Sequence, residues 1–423
     1  MRLLHINHRY WPFQGGSEQY FQEISERLAA AGHQVSLWTT DAWDLEHFWA
    51  GGRRRVAEVA ETHNGVAIRR FAVRRPPLPP IYYRILRRAM AEASALPVPT
   101  TPLLRGLGRF SPWVPGMAAA LRALPPGAFD LVHAGNISLE SLILYATGYT
   151  ARTRTPLVVT PFLHVGEPGS RAVQRYYTMR HQLALLRQAR CVIVQTGLEG
   201  DALAAAGVSG DRLARLGVGV DPARVAGGDA ARFRAKFRIQ GPIVFSLGAL
   251  AYDKGMTHLV EAMRRLWAAG SPATLVLAGA TMLQDFATYF SGVPAADRDR
   301  CRLLGFIADE DKRDAFAACD LFAMPSRVET FGIVYLEAWL YDKPVIGAAA
   351  GGVPEVIADG TTGYLVPFGD VPMLADRIAR LLADPALRAR LGQAGHAAVL
   401  REHTWDAKIA RITQIYEGLV RPQ

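Results

Sequence analysis

The stretch Met324-Pro-Ser-Arg-Val-Glu-Thr-Phe-Gly-Ile-Val-Tyr-Leu-Glu-Ala338 contains a change from strand to helix that recurs along the whole chain. An apolar run ends at a proline, a loop follows, and a helical pattern begins at the glycine. Glu329 is expected in the loop, and Glu337 one to two turns inside the helix. Because the first N–H groups of a helix have no partner within it, those of Thr330 to Ile333 favour phosphate oxygens.

Short apolar runs alternate with helical patterns on both sides of this stretch, which is typical of parallel strands joined by crossover helices. The pattern predicts two doubly wound α/β sheets. The strands predicted in the first half are Leu3–Asn7, Gln34–Thr39, Ala67–Val73, Asp130–His133, Leu157–Pro161 and Cys191–Gln195. Those predicted in the second half are Pro242–Leu247, Thr274–Ala278, Arg302–Phe306, Asp320–Met324, Pro344–Gly347 and Gly363–Pro367.

The chain has 423 residues, which is too long for one ordinary hydrophobic core and predicts two domains. We expect an N-terminal domain over residues 1–216 and a C-terminal domain over 240–402, joined by a linker at 217–239. Residues 403–423 read as a last helix that packs back on the N-terminal domain. A proline-rich segment, about 74–126, interrupts the first domain and is expected to be a long irregular loop.

The composition is that of a globular protein, with 50% hydrophobic and 20% charged residues. The three cysteines form no C-x-x-C pair, so neither a disulfide framework nor a zinc site is indicated. The apolar stretches are too short for a signal sequence or a membrane-spanning helix. These features predict a cytoplasmic protein. The cysteines are Cys191, Cys301 and Cys319.

The formal net charge of +10 is carried mainly by arginine and indicates an anionic partner or an arginine-rich proteome. Ten arginines lie between Arg53 and Arg88, with only Glu58 and Glu61 as acids. With Ile81, Tyr82, Tyr83, Ile85 and Leu86 nearby, the segment suggests peripheral binding to the inner, anionic face of a membrane, where a lipid-linked acceptor would be presented. A loop that encloses a soluble acceptor is the alternative. No nucleic-acid partner is expected, because no aromatic platform interleaves the basic residues.

Two further turns could approach a phosphate. In Gln14-Gly-Gly-Ser-Glu-Gln19, paired glycines allow close backbone approach and Ser17 could cap the following helix, although such a turn needs no ligand. In Ser246-Leu-Gly-Ala-Leu-Ala-Tyr-Asp-Lys-Gly255, a strand leads to Lys254, which the topology aims at the crevice where open α/β sheets bind ligands. A lone lysine is otherwise an ordinary surface charge, whereas here it would neutralise a diphosphate.

These segments together resemble the family 4 retaining glycosyltransferases of GT-B fold. The resemblance rests on the two glutamates eight residues apart, the Gly-Gly-Ser-Glu turn, the strand, loop and Lys-Gly segment, Gly305-Phe-Ile and Gly351-Gly-Val-Pro-Glu355. It covers nearly the whole chain except about Arg53 to Ala128. It implies two facing Rossmann-like domains with a deep cleft between them.

The resemblance also implies a nucleotide-sugar donor, UDP- or GDP-linked, held mainly by the C-terminal domain, and a glycan, lipid-linked or small-molecule acceptor held by the N-terminal one. Glu337 would bind the ribose, Glu329 the transferred sugar and Lys254 the diphosphate. His164 would contact the donor sugar near the reacting carbon, although a structural histidine is the alternative. The other implied donor contacts are Gly16, Ile307, Thr330, Phe331, Gly332 and Ile333.

Ala249 departs from the family, because many relatives carry an arginine there that binds the diphosphate. Either another arginine substitutes for it, or donor binding is weaker, or activity has been lost. A metal-independent retaining transfer is expected, with no cofactor and with His164, Glu329 and Lys254 in catalytic roles. The alternatives are a nucleotide-sugar epimerase of the same fold and a catalytically weak sugar-nucleotide-binding protein.

Overall fold

The computed structural model describes residues 1–13, 15–280 and 284–420, and it divides the chain into two compact units. The first unit contains Met1–Leu163, Ala172–Gly217 and the residues from Lys408 on, and the second contains His164–Arg171 and Val218–Ala407. Residues 218–239, expected as a linker, therefore belong to the second unit. They pack there through buried Phe233 and through the N–H of Gly228, which donates to the Tyr341 hydroxyl at 2.9 Å.

The first unit is built on a sheet with the strand order β3-β4-β2-β1-β5-β6-β7-β8. All neighbouring strands are parallel except β3 and β4, which form an antiparallel pair. The order reverses at β1, which lies between β2 and β5, and open α/β sheets bind ligands at such a point. The strands are β1 Arg2–Ile6, β2 Gln34–Thr40, β3 Ala60–His63, β4 Val66–Phe71, β5 Leu131–Gly135, β6 Leu157–Thr160, β7 Cys191–Val194 and β8 Leu213–Arg215.

Helices cover this sheet and bury the apolar residues of the strands. The helices are α1 Gly16–Ala30, α2 Ile81–Ala95, α3 Thr101–Gly108, α4 Pro115–Ala123, α5 Ser141–Thr153, α6 Arg180–Leu186 and α7 Gly197–Ala205. Ser17 does not cap α1, contrary to expectation. The N-cap is Gly15, no side chain caps the helix, and the Ser17 hydroxyl donates to Glu18 Oε2 at 2.9 Å. Gln14 of the same motif lies outside the described residues.

The second unit contains a six-stranded parallel sheet with the order β11-β10-β9-β12-β13-β14. Here the order reverses at β9, so the loops after β9 and β12 meet at the ligand-binding edge. The strands are β9 Ile243–Leu247, β10 Thr274–Ala278, β11 Cys301–Gly305, β12 Leu321–Met324, β13 Val345–Ala348 and β14 Gly363–Val366. Its helices are α8 Pro222–Val225, α9 Ala230–Phe237, α10 Met256–Ala268, α11 Gln284–Ser291, α12 Ala295–Arg298, α13 Asp309–Ala318, α14 Ile333–Trp339, α15 Val371–Ala383 and α16 Pro385–Glu402.

All twelve strands expected from the sequence are present within one or two residues, and α/β architecture is confirmed. Strands β3 and β8 were missed because both are short and carry few apolar residues. The expectation of an irregular loop at 74–126 was wrong, since α2, α3 and α4 lie there. Three of its prolines lie at helix starts, Pro80 as the N-cap of α2 and Pro102 and Pro115 in the first turns of α3 and α4. Proline is tolerated there because the first N–H groups need no helical partner.

The arginines of residues 53–88 differ in their burial and in their partners. Arg70 is buried and paired with Glu61, and Arg87 is buried and paired with Glu140. Arg54 also pairs with Asp44, at 2.8 Å. Two of the ten arginines are therefore buried in ion pairs of the first unit, whereas seven are exposed. The exposed arginines of α2 are Arg84 and Arg88.

The last helix, α17 Trp405–Val420, lies within the predicted range 403–423. Its Tyr416 is fully buried and its hydroxyl lies 2.6 Å from His133 Nδ1 and 3.3 Å from His5 Nε2. Both histidines stand on central strands of the first sheet, so this end of the chain completes the core of the first unit. Burial lowers the pKa of His5 to about 3 and that of His133 well below its ordinary value.

Candidate functional site

The predicted donor residues lie on the loops that follow β9 and β12, the two strands at the reversal point of the second sheet. Lys254 closes a short turn after β9, and its ammonium donates to Glu329 Oε1, which follows β12. Their side chains are 24% and 15% exposed, so the pair is accessible to a ligand. A cation and a carboxylate held together at this edge can exchange partners when a charged, hydroxyl-rich molecule arrives.

Glycines let these loops approach each other. Gly255 has a φ of 75°, and a Cβ on it would meet the carbonyl oxygen of Pro325 at 2.2 Å. Gly351 has a φ of 59°, and a Cβ there would meet the Glu329 carbonyl oxygen at 2.2 Å. The neighbouring Gly352 N–H donates to that same oxygen at 2.9 Å. These positions explain physically why Lys-Gly and Gly-Gly-Val-Pro-Glu accompany the two-glutamate motif, because any side chain would push the loops apart.

Glu337 lies on α14 as predicted and is buried, with 3% of the residue exposed. Lys312 on α13 donates to its Oε1 at 3.0 Å. Burial acts to lower the pKa of Lys312, but its ion pair with Glu337 outweighs this effect and the pKa is raised. Lys312 was missed in the sequence because it lies 25 residues from Glu337, and a lysine in an acidic first turn carries no local signal. The pair gives the carboxylate a fixed orientation while its other lone pairs stay available as acceptors.

The loop between the glutamates leads into α14 through Gly332, which has a φ of 88°. No side chain caps this helix start. Thr330 Oγ1 lies 3.3 Å from His164 Nδ1, and Phe331 is buried against His403. The structure thus brings Thr330, Phe331, Gly332 and Ile333 next to Glu329 in one loop and helix start.

His164 stands after β6, in the short segment that belongs to the second unit. Burial, with a smaller contribution from the charge of Lys254, lowers its pKa to about 3. The imidazole is therefore neutral at ordinary pH and can donate or accept a hydrogen bond without bringing a full charge. Ile307 follows β11, an edge strand of the same sheet, so it stands at the same end of the second unit. Gly16 begins α1 of the first unit, where an added Cβ would meet no heavy atom within 4 Å.

Arg327 was not singled out, although it lies in the deciding stretch. Its guanidinium donates to Asp253 Oδ1 at 2.9 Å and to Glu167 Oε1 at 2.8 Å. The central carbon of the guanidinium, Cζ, also lies 4.8 Å from the centroid of the Phe368 ring. Arg327 therefore joins the loop after β12 to the loop after β9 and to the segment that follows β6.

The first unit holds a cavity of about 370 Å³ at its own reversal point. The loops after β1 and β5 and the inner face of α2 line it, with Arg9, Glu18, Trp49, Tyr83 and Arg87 among its residues. Trp49 and Tyr83 stack at a ring separation of 5.0 Å. Burial would raise the pKa of Glu18, but Arg9 and His8 hold it well below its ordinary value. The cavity therefore offers fixed charges and flat apolar rings together.

Within residues 1–13, 15–280 and 284–420, no group of three or more His, Cys, Asp or Glu side chains could hold a metal ion. In that part, too, every helix is too short or too polar to cross a membrane. The three cysteines are free and buried, as their apolar surroundings predict, and burial raises the pKa of Cys191 to about 11.

Comparison with known proteins adds two family matches that together cover most of the chain. Residues 15–219 match the family described as "Glycosyl transferase 4-like domain", and residues 229–398 match "Glycosyl transferases group 1". The chain belongs to the family 4 glycosyltransferases of GT-B fold. The division between the two matches falls near Gly217, where the chain passes from the first unit to the second.

Curated relatives of this glycosyltransferase are similar over about half their length. A Corynebacterium glutamicum protein named GDP-mannose-dependent monoacylated alpha-(1-6)-phosphatidylinositol monomannoside mannosyltransferase is 34% identical over 208 residues, 47% of this chain and 52% of the relative. Alpha-D-kanosaminyltransferase of Streptomyces kanamyceticus is 32% identical over 178 residues, 42% of this chain and 46% of the relative. Both are glycosyltransferases, and neither supports the epimerase alternative.

Solved structures share the fold over nearly the whole length. The crystal structure of Anabaena HepE in complex with UDP-glucose has a TM-score of 0.73 and 21% identity, and covers 99% of this chain and 100% of that one. Sucrose-phosphate synthase from Thermosynechococcus elongatus has a TM-score of 0.72 and 23% identity, with 99% coverage of both chains. At this identity the likeness concerns the fold alone.

Proposed function

We propose that this family 4 glycosyltransferase moves a sugar from a nucleotide diphosphate sugar to an acceptor hydroxyl, with retention of configuration and without a metal. The observation that carries the proposal is the pairing of Lys254 with Glu329 at the reversal point of the second sheet, beside Glu337. A cation for a diphosphate, a carboxylate for sugar hydroxyls and a second carboxylate for a ribose are what this donor requires.

In the resting protein Lys254 and Glu329 neutralise each other. We infer that the donor separates their roles: its diphosphate binds the ammonium, and its sugar hydroxyls donate to the carboxylate. Glu337, held by Lys312, accepts from the ribose hydroxyls. The main chain of residues 330–333 meets the phosphates, and that of Ile307 meets the base. Gly16 is proposed to approach the diphosphate by analogy with the family.

The proposed reaction breaks the bond between the anomeric carbon and the diphosphate oxygen, while the acceptor hydroxyl oxygen bonds to that carbon on the same face. The acceptor proton goes to the leaving phosphate oxygen. Negative charge grows on the diphosphate, so the fixed charge of Lys254 and the start of α14 stabilise the transition state. His164 is neutral and would serve as a hydrogen-bonding contact to the sugar, since a histidine with a pKa of about 3 carries no charge there.

We propose that the donor is a UDP- or GDP-linked sugar, and we assign neither one base nor one sugar. The mannosyltransferase relative is named for GDP-mannose, and the HepE structure holds UDP-glucose. Both donors share the diphosphate and ribose that Lys254 and Glu337 suit. A lipid-linked acceptor is favoured by the phosphatidylinositol monomannoside in that relative's name, and a glycan or small-molecule acceptor remains part of the proposal.

The testing experiment is a thermal-shift screen of the purified protein against UDP, GDP, ADP and TDP, alone and as sugar conjugates, with EDTA present. Stabilisation by one nucleotide family identifies the base and supports metal-independent binding. The anomeric configuration of the transferred sugar is then read by NMR. Inversion, or a requirement for a divalent metal, would contradict the mechanism. Binding without turnover on any acceptor would favour a sugar-nucleotide-binding protein, the alternative suggested by Ala249.

A further inference from the structure

Exposed apolar side chains are concentrated in one part of the first unit. Among the described residues, fourteen large hydrophobic side chains are exposed, and seven of them lie between residues 78 and 110. Single exposed hydrophobic residues are ordinary, but a concentration of them indicates a surface that meets another apolar phase. The seven are Leu78, Ile81, Ile85, Leu96, Val98, Leu103 and Phe110.

Helix α2 separates its residues between two faces. The inner face packs through Met90 and Ala91 against α3 and Met179, and it also carries Tyr83 and Arg87, which line the cavity. The outer face carries Ile81 and Ile85, which are 54% and 62% exposed. Arg84 and Arg88 are also exposed, and with the two isoleucines they follow the three- and four-residue spacing of one helix face. The next helix, α3, packs on α2 and exposes Leu103, and the turn that follows α3 exposes Arg109 and Phe110.

The charge around this outer face has one sign. Between residues 74 and 129 the sequence contains eight arginines and a single acid, Glu92. Glu92 is paired with Arg175 at 2.9 Å. Arg84 and Arg88 therefore present positive charge beside exposed isoleucines. An arginine can lay its stem along an apolar surface while its guanidinium meets a phosphate.

We propose that the outer faces of α2 and α3 bind the surface of an anionic lipid bilayer. We call this surface the membrane face, and it offers the apolar area and the positive charge that an anionic bilayer attracts. Its residues are Leu78, Ile81, Arg84, Ile85, Arg88, Leu96, Val98, Leu103, Arg109 and Phe110. A second copy of the chain fits less well, because a two-fold contact on this face would bring its arginines against each other.

The first arm of the test measures charge. The protein is floated with vesicles of phosphatidylcholine, alone or mixed with phosphatidylglycerol, at low and high salt. The wild type should float with the anionic vesicles and be released by salt. Arg84→Gln/Arg88→Gln should lower the partition constant by about tenfold or more, since each arginine near the surface contributes on the order of 1 kcal/mol. Arg265→Gln/Arg298→Gln is the control, because it removes the same charge from exposed positions of the second unit.

The second arm measures apolar contact. Ile85→Glu should abolish flotation at moderate salt, whereas Leu400→Glu, at a residue 52% exposed in the second unit, should leave it unchanged. Ile85→Ser repeats the test without adding an acid, and circular dichroism checks that each variant folds.

Three results would overturn the proposal: no wild-type binding to anionic vesicles at low salt, equal losses in the two arginine double variants, or unchanged binding of Ile85→Glu and Ile85→Ser. A dimer in sedimentation velocity that Ile85→Glu dissociates would also overturn it and assign the face to a second copy. None of these readouts depends on sugar transfer, so they are independent of the proposed function.

Discussion

Two ion pairs, one in each unit, differ in what surrounds them. In the second unit, Lys254 and Glu329 meet on loops, and their side chains are 24% and 15% exposed. In the first unit, Arg87 and Glu140 meet at 2.6 Å with exposures of 11% and 0%, and His181 and Gln182 also contact Glu140. A loop pair open to solvent can exchange its partners for a ligand, whereas a buried pair cannot lose one member without leaving a charge in the core. The first arrangement is compatible with the proposed donor binding, and the second stabilises the fold.

The largest effect should come from breaking the buried pair. Glu140→Ala leaves Arg87 charged and unpaired, so unfolding free energy should fall by about 3–5 kcal/mol. Urea denaturation measures this loss. Glu92→Ala is the control, because its pair with Arg175 is exposed and should contribute less than about 1 kcal/mol. Equal losses in the two variants would mean that burial does not distinguish them.

The loop pair should show the opposite behaviour. Lys254→Ala and Glu329→Ala should each lower turnover at least about tenfold, a loss of ~1.4 kcal/mol in the transition state, with little change in the thermal transition. Lys236→Ala removes a lysine from another exposed pair of the second unit, with Asp311, and should leave turnover intact. Near-normal rates in both loop variants would disprove this assignment of the site.

The buried histidines of the first unit should make the stability of the protein depend on pH. His5 and His133 have lowered pKa values in the folded protein, so acid protonates them in the unfolded chain first and favours unfolding. Stability should be full above the unfolded pKa near 6.5 and should fall below it, by roughly 1 kcal/mol per histidine between pH 7 and 5.5. Urea denaturation at the two pH values measures the difference. His133→Gln should reduce it, while His396→Gln, at a half-buried position in the second unit, should not; an unchanged slope in His133→Gln would refute the linkage.

The smallest effect concerns the position where the family carries arginine. Ala249 follows β9 and is partly exposed at the donor edge. If no other arginine replaces the missing one, Ala249→Arg should tighten nucleotide diphosphate binding by a few-fold, less than about 1.4 kcal/mol, because it adds one charge near the phosphates. Calorimetric titration with the nucleotide that gives the thermal shift measures the change, and Ala249→Gln separates charge from size. Weaker binding in the arginine variant would show that the diphosphate does not lie beside this residue.

The positions of the proposed donor residues in the fold could be predicted because their signal is local. Glu329, Glu337 and the glycine between them lie in one strand, loop and helix, and the order of these elements specifies which side chain stands in the loop and which on the helix. Lys254 could be predicted for the same reason, since a lysine and a glycine after a buried strand mark the same edge. Lys312 and Arg327 could not, because their partners are distant in sequence or their role depends on how three loops pack.

The structure of the helical region at 74–126 could not be predicted from local sequence signals. Its prolines suggested a loop, but proline marks a helix start as readily as a break, and only the packing of α2 and α3 around Met90 and Leu104 distinguishes the two. The arginines of residues 53–88 likewise looked alike in the sequence. Tertiary structure divided them into buried ion pairs and exposed charges, because burial depends on neighbours far along the chain.

The sequence by itself determined the succession of strands and helices along the chain, the two-unit α/β architecture and the family. Hydrophobic periodicity and short motifs, on which these depend, are properties of neighbouring residues. Only the tertiary structure decided where the first unit ends, which basic residues remain exposed, and which cation holds each glutamate. Those outcomes depend on pairings across tens of residues, and the free energy of such a pairing is set by burial and geometry that no local pattern encodes.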